Sequence, residues 1–132
     1  MEKAHETVDE DAKMRRQVVE YALQFVGGRY QYGGVDPNKG VDCSGFTRYV
    51  YQHGAGITLN RSSRGQALQG KEISADQMRP GDLLFYGSKS NIDHVAMYIG
   101  EGKIVHASTE RTGITISNWN YRNPVKIRSI ME

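Results

Sequence analysis

The sequence has few of the residues that would place it in several common protein classes. It contains 1 cysteine, so no disulfide can form within the chain, and it contains only 3 prolines. No apolar run approaches the roughly 20 residues that a membrane-spanning helix needs. The charges are nearly balanced, with 17 Lys+Arg against 15 Asp+Glu. Because a nucleic-acid-binding protein usually carries a basic excess, we expect neither a nucleic-acid partner nor a membrane span.

The beginning of the chain also lacks the apolar stretch that marks a secretion signal. At 132 residues the chain is long enough for one compact domain and too short to hold two comfortably. We predict a flexible N-terminal extension over residues 1–9, followed by a single domain over residues 10–132.

Periodic patterns predict helices in the first half of the chain and strands in the second half. Helical spacing runs from about Glu10 to Val26, resumes after Asp42, and returns briefly at Arg61–Arg64. Five later segments alternate like strands: Asp82–Tyr86, His94–Ile99, Lys103–Ala107, Ile114–Asn118 and Val125–Ile130. Helices followed by strands favour an α+β fold with an antiparallel sheet.

The single cysteine lies where a reactive thiol is expected. Cys43 follows Asp42, a plausible helix N-cap, and would occupy the first turn of the second helix. The partial positive charge at a helix N-terminus favours thiolate over thiol. A base is still needed, and two strand-like segments supply the candidates His94 and His106. The pattern therefore points to cysteine hydrolase chemistry.

The turn between these two strands decides whether the histidines can meet. A two-residue loop at Glu101-Gly102 would place them on opposite faces of the sheet. A three-residue loop with Gly102 in a left-handed bulge position instead pairs Ile99 with Lys103, and makes His94 the diagonal neighbour of His106. The catalytic interpretation requires the second arrangement.

In such a site His94 would take the thiol proton and later protonate the departing amine, while His106 would hold His94 in position. The tetrahedral oxyanion would need hydrogen-bond donors. The backbone N–H of Cys43 is one, and the hydroxyl of Tyr30 could be another.

Taken together, these segments resemble the NlpC-type cell-wall peptidases, which are papain-like cysteine enzymes. The match spans roughly Glu20 to Ile130. The segments that carry it occur in the family's order: Tyr30-Gln31-Tyr32-Gly33-Gly34, Asp42-Cys43-Ser44-Gly45-Phe46, Arg61-Ser62-Ser63, Met78–Leu83, His94–Gly100 and Val105-His106-Ala107-Ser108.

The resemblance implies a papain-like α+β fold, in which the cysteine-bearing helix packs on a curved antiparallel sheet. It implies a nucleophile at Cys43, a base at His94, a polar orienter at His106 and an oxyanion tyrosine at Tyr30. Tyr32, where the family often has tryptophan, is the other candidate for the oxyanion role. The residues implied to line the substrate site are Tyr32, Asp42, Ser44, Arg61, Ser62 and Ser63.

The same resemblance implies hydrolysis of peptidoglycan stem peptides at the bond between D-γ-glutamate and a diamino acid. No cofactor and no metal would be required. The expected setting is the cell wall or the extracellular space, with residues 10–132 acting as the monomeric catalytic domain of a larger protein.

Three other interpretations use the same residues. An amidase cutting between muramic acid and L-alanine would share the catalytic machinery, and a wall-binding module would keep the groove without turnover. A zinc site built from Cys43, His94 and His106 with Asp42 or Asp93 lacks the close ligand pairs that structural zinc sites usually have.

Overall fold

The computed structural model of the protein describes the backbone of residues 2–131 and the side chains of residues 10–131. The helices are α1 (Glu2–Leu23), α2 (Cys43–Ala55) and α3 (Ser63–Gln66), with a 3-10 turn at Ala75–Gln77. The strands are β1 (Val35–Asp36), β2 (Gly40–Val41), β3 (Lys71–Glu72), β4 (Leu83–Ser88), β5 (Asn91–Gly100), β6 (Lys103–Thr109), β7 (Gly113–Asn118) and β8 (Lys126–Ser129).

Six of the strands form one sheet in the order β3-β8-β4-β5-β6-β7, and every neighbouring pair in it is antiparallel. Strands β1 and β2 pair separately as a short antiparallel ribbon. The predicted α+β class with an antiparallel sheet is confirmed, and each of the five predicted strands is present. The two-residue strands β1, β2 and β3 were not predicted, because a pair of residues carries no alternation.

The first helix differs from its predicted bounds at both ends. It begins at Glu2 rather than near Glu10, and it ends at Leu23 rather than Val26. At its C-terminal end the backbone N–H groups of residues 24–26 bond three residues back rather than four, which tightens the chain out of the α-helix. Although α1 has 22 residues, no helix in the described part of the chain is apolar enough to cross a bilayer. The boundary between residues 9 and 10 stays a prediction, since the side chains of residues 1–9 lie outside those described.

The large sheet has a buried cluster on each face. The cluster on the helix side joins α1 and α2 to the sheet through Val18, Ala22, Phe46, Val50, Tyr51, Phe85, Val95, Met97, Val105 and Ala107, among others. The cluster on the opposite side is smaller and contains Leu84, Tyr86, Ala96, Ile104 and Ile127. Burial of both faces anchors the central strands β4, β5 and β6.

The hairpin between β5 and β6 differs in detail from the predicted one, but it still places His94 and His106 on the same face of the sheet. Gly100 pairs with Lys103, so the loop has two residues, and both Glu101 and Gly102 have positive φ values of 54° and 76°. The register then shifts between Tyr98 and Gly100, so that Tyr98 pairs with Ile104 and Met97 with Val105.

The predicted pairing of Ile99 with Lys103 is therefore wrong, because Ile99 is the extra residue of an irregular step. Gly100 makes this step possible, since its φ of 99° is readily adopted only by glycine. Continuing the pairing of Met97 with Val105 by one residue places Ala96 opposite His106. His94 then lies on the same face of the sheet as His106. A two-residue loop alone would place His94 and His106 on opposite faces of the sheet. The additional one-residue shift in register places them on the same face.

Candidate active site

Helix α2 begins at the candidate nucleophile. The N-cap Asp42 has extended backbone angles, and its carboxylate Oδ1 accepts the backbone N–H of Gly45 at 2.7 Å. Cys43 is consequently the first residue of the helix, as predicted. Gly45 is required by space, because a Cβ there would overlap the carbonyl oxygen of Gly34 in the preceding loop. The cap and the close loop fix the direction in which the Cys43 side chain leaves the helix.

The thiol of Cys43 is half-buried against the sheet. Burial raises the pKa of Cys43, and the neighbouring Asp42 carboxylate raises it further. The backbone N–H groups of Val95, Ser44 and Cys43 itself act in the opposite direction and lower this pKa. The N–H groups at the helix terminus thus favour thiolate as expected, but desolvation is the largest effect and outweighs them, so the pKa of Cys43 is raised.

The two candidate histidines contact each other directly. Nε2 of His94 lies 2.7 Å from Nδ1 of His106, and the ring centroids are 5.0 Å apart at an angle of 67°. This confirms that the two imidazoles meet. It also leaves Nδ1 of His94 as the ring nitrogen available to another group. Cys43 interacts with the same strand β5, because the backbone N–H that lowers its pKa most belongs to Val95, the residue after His94.

Both histidines are poorly exposed, with 8% of His94 and 0% of His106 accessible. Burial lowers the pKa of His94 to about 3, with further lowering by the charges of His106 and Arg122. Burial lowers the pKa of His106 to about 4. These shifts favour a neutral thiol and two neutral imidazoles near neutral pH, so any nucleophilic step would require a proton to move from sulfur to nitrogen.

A third side chain continues the hydrogen-bonded chain. Nε2 of His106 lies 2.9 Å from Oγ of Ser117 on β7. Ser117 could not be singled out from the sequence, because its position opposite Ile104 depends on the pairing of β6 with β7.

The segment after β7 covers the histidine pair. The ring of Tyr121 lies 5.4 Å from that of His106 and 5.3 Å from that of Tyr86. Arg122 follows and makes a two-pronged ion pair with Asp93, with N–O distances of 3.0 and 3.2 Å. Burial raises the pKa of Tyr121, and the charges of Asp93 and Cys43 raise it further. Tyr121 therefore packs on the histidine pair through His106.

Tyr30 is one of the two tyrosines considered as hydrogen-bond donors to the oxyanion, and it interacts electrostatically with Cys43. Tyr30 forms a parallel bridge with Val41, two residues before Cys43. Burial raises the pKa of the Tyr30 hydroxyl, and the next contribution comes from the charge of Cys43. Tyr32 is 86% exposed. The structure thus favours Tyr30 over Tyr32 as a donor near the nucleophile.

Three of the predicted substrate residues form one polar network beside the nucleophile. Arg61 contacts both carboxylate oxygens of Asp42, at 3.1 and 2.9 Å, and donates to Oγ of Ser44 at 3.0 Å. Arg61 keeps 40% of its side chain exposed, whereas Asp42 keeps 15%. The network therefore presents a guanidinium edge to solvent and leaves the carboxylate largely engaged.

Two more of the predicted substrate residues lie at the start of α3. Ser62 is its N-cap and accepts the N–H of Gly65 at 3.0 Å, while Ser63 is its first residue. Sequence reasoning missed the buried Gln66 of the same helix. Its side chain donates to the carbonyl of Ser44 at 3.0 Å and accepts from Thr47 at 2.7 Å. Gln66 thereby fixes α3, and the serines at its start, against the first turn of α2.

The proposed zinc ligands do not assemble into a metal centre. Within the described part of the chain, no three or more His, Cys, Asp or Glu side chains converge in a way that could hold an ion.

Comparison with known proteins places this fold in the papain-like class and gives the family. Residues 27–128 match the model of the NlpC/P60 family. The structure superimposes on the NlpC/p60 domain of the peptidoglycan hydrolase SagA with a TM-score of 0.82 at 35% identity, covering 88% of this chain and 98% of that one. The chain belongs to the NlpC/P60 family. The relationship predicted from the motifs, and the papain-like fold, are both confirmed.

Two curated relatives are longer than this chain. The chain is 36% identical over 102 residues to a γ-DL-glutamyl hydrolase of Bacillus subtilis, covering 76% of this chain and 24% of the relative. It is 35% identical over 115 residues to the murein DD-endopeptidase MepS/murein LD-carboxypeptidase of Escherichia coli, covering 87% of this chain and 60% of the relative. The chain thus spans between about a quarter and three fifths of these two proteins.

Proposed function

We propose that the protein is a cysteine endopeptidase that hydrolyses peptidoglycan stem peptides at the bond between D-γ-glutamate and a diamino acid. The observation that carries the proposal is the imidazole pair of His94 on β5 and His106 on β6, 2.7 Å apart, together with the backbone N–H of Val95, the residue after His94, which lowers the pKa of Cys43. A buried, hydrogen-bonded imidazole that can reach a thiol at the head of a helix is suited to nucleophilic catalysis. Membership of the NlpC/P60 family and the names of the two relatives support the substrate class.

The reaction would begin with transfer of the Cys43 proton to Nδ1 of His94. The sulfur then attacks the γ-carbonyl carbon of the D-glutamyl residue, and the oxyanion that forms accepts hydrogen bonds from the Cys43 N–H and the Tyr30 hydroxyl. The carbon–nitrogen bond breaks as the His94 imidazolium gives its proton to the departing amine, leaving a thioester. His94 next removes a proton from water, whose attack on the thioester releases the carboxylate and restores the thiol.

The neutral resting state makes the base indispensable in this mechanism. Because burial raises the pKa of Cys43 and lowers that of His94, a thiolate–imidazolium ion pair is not favoured before the substrate binds. Binding of substrate over the sulfur would exclude water further, so the proton transfer and the attack must be coupled.

The network of Asp42, Ser44 and Arg61 would bind the L-Ala-D-Glu end of the stem peptide. The exposed edge of Arg61 suits the free α-carboxylate of D-glutamate, while Asp42 suits an amino group. Ser62 and Ser63 at the start of α3, and the exposed Tyr32, would border this part of the groove. The proposed setting is the cell wall or the extracellular space, with this domain acting as a monomer within a longer protein.

Product analysis tests the proposal directly. Purified protein is incubated with defined stem peptides and with muropeptides, and the products are identified by mass spectrometry, with the Cys43→Ala variant as control. We expect a new amino terminus on the diamino acid with the wild type and no product with the variant.

The alternatives give different results in the same experiment. A new amino terminus on L-alanine would identify a muramoyl-L-alanine amidase, and cuts at D-alanine would identify a DD-endopeptidase or LD-carboxypeptidase. Muropeptide binding without any product from the wild type would identify a wall-binding module. Product formation by Cys43→Ala would reject the assigned nucleophile, and stoichiometric zinc in elemental analysis would reject the metal-free site.

A further inference from the structure

The hydrogen-bonded chain of the site extends one residue beyond the histidine pair. His106 is completely buried, and its two ring nitrogens contact His94 on one side and Ser117 on the other, at 2.7 and 2.9 Å. Among the described residues, no buried side-chain nitrogen or oxygen lacks a hydrogen-bond partner. Ser117 supplies the partner for Nε2 of His106.

The position of Ser117 follows from the sheet. Thr115 on β7 pairs with His106, and Ser117 pairs with Ile104, so Ser117 is the diagonal neighbour of His106 on the same face. A serine hydroxyl at this position can either accept a hydrogen bond from Nε2 or donate one to it.

Counting protons shows which of these two arrangements a working site needs. For Nδ1 of His94 to receive the thiol proton, the proton of neutral His94 must sit on Nε2 and point at Nδ1 of His106. Nδ1 of His106 must then be bare, so the proton of His106 lies on its Nε2. That buried N–H requires an acceptor, and the oxygen of Ser117 is the one within reach.

We propose that Ser117 is a positioning residue that holds His106 in the Nε2–H form and thereby keeps Nδ1 of His94 free to act as base. The inference rests on the proposed function, since it assumes that His94 serves Cys43. Without the Ser117 hydroxyl, the Nε2–H of His106 would be buried without an acceptor. The proton of His106 would then favour Nδ1, which faces His94. That shift would force the proton of His94 onto its own Nδ1, the nitrogen that must be empty.

Three variants separate this role from a structural one. Ser117→Ala removes the hydroxyl, and Ser117→Thr keeps it. Ser88→Ala is a matched control on β4, because Ser88 is exposed and its hydroxyl contacts only that of Ser90 among the described side chains. Each protein is measured for kcat and KM on the stem peptide. The rate of Cys43 alkylation by iodoacetamide near neutral pH is measured as well, and needs no substrate. Nitrogen-15 NMR correlations of the imidazole rings report which ring nitrogen carries the proton.

We expect Ser117→Ala to lower both kcat and the alkylation rate by roughly 10- to 100-fold, with little change in KM. Its NMR spectrum should show the proton of His106 moved from Nε2 to Nδ1. Ser117→Thr and Ser88→Ala should behave like the wild type.

Several results would overturn the proposal. One is a wild-type spectrum with the His106 proton on Nδ1, which can be recorded even if Ser117→Ala fails to fold. Another is a wild-type kcat in Ser117→Ala, or a loss of kcat that Ser117→Thr does not restore. If the wild type cleaves no stem peptide but shows the Nε2–H form and a Ser117-dependent alkylation rate, the proposed function fails while the role of Ser117 is supported.

Discussion

Nδ1 of His106 lies 2.7 Å from Nε2 of His94, and this contact forms in a part of the sheet from which water is largely excluded. In cysteine hydrolases the partner of the base is often an amide or a carboxylate, and here the partner of the candidate base is a second imidazole. A neutral imidazole can accept the His94 N–H without placing a negative charge beside it. The pair therefore gives alignment with little electrostatic stabilisation of an imidazolium, and it is sensitive to the proton on either ring.

Replacing the acceptor should show how much this alignment contributes. We expect His106→Phe, which keeps a ring but removes the acceptor, to lower kcat for stem-peptide hydrolysis by roughly 10²- to 10⁴-fold. His106→Asn should lose less, because its amide oxygen can still accept the His94 N–H. Equal kcat values for His106→Phe and the wild type would show that His94 needs no partner.

The buried histidines should make stability depend on pH. Their pKa values fall from 6.5 to about 3 for His94 and about 4 for His106 on folding. As pH drops below about 6.5, the unfolded chain takes up protons that the folded chain does not, so the free energy of unfolding decreases until the folded pKa values are reached. At about pH 4.5 the expected loss is on the order of 2 kcal/mol for each histidine.

Urea unfolding at about pH 7 and about pH 4.5 measures this loss. Carboxylates also titrate in this range, so the comparison is with a double variant, His94→Gln with His106→Gln, which should lose less stability on acidification. An identical loss in both proteins would show that the two imidazoles are protonated as easily in the folded state as in the unfolded one.

The helix cap and the ion pair at Asp42 can be separated by two substitutions. Asp42→Asn keeps an oxygen for the N–H of Gly45 and removes the charge that faces Arg61, and we expect a cost below about 1 kcal/mol because Arg61 is partly exposed. Asp42→Ala also removes the cap and should cost about 1 kcal/mol more. The measurement is the free energy of unfolding in urea. Equal losses in the two variants would mean that the cap contributes nothing.

The turn between β5 and β6 contains a residue whose replacement should raise the free energy of unfolding. Glu101 has a φ of 54°, a left-handed conformation that asparagine adopts more readily than glutamate. Since Glu101 is exposed, Glu101→Asn should raise the free energy of unfolding by about 0.5 kcal/mol without changing activity. Gly102→Ala, at a φ of 76°, should lower it by about 1 kcal/mol. A stabilising Gly102→Ala would contradict the turn geometry.

Local chemistry accounts for the parts of the site that the sequence predicted well. An aspartate before a helical pattern is a cap, whatever the rest of the fold does, so the position of Cys43 at the head of α2 could be read from neighbouring residues. The alternating segments around His94 and His106 likewise predicted strands, because alternation reflects the two faces of a strand. The order of the motifs was enough to identify the family.

The tertiary structure decided the features that depend on register and burial. Whether His94 meets His106 depended on one extra residue at Ile99, and Ser117 reaches His106 only through the pairing of β6 with β7. Burial also raised the pKa of Cys43 by more than the N–H groups at the helix terminus lowered it. The sequence by itself determined the candidate nucleophile, the strands and the family, since these follow from local hydrogen bonding and side-chain pattern. Contacts between strands and the exclusion of water arise only when distant segments pack, and they decide which ring nitrogens of the two histidines face each other.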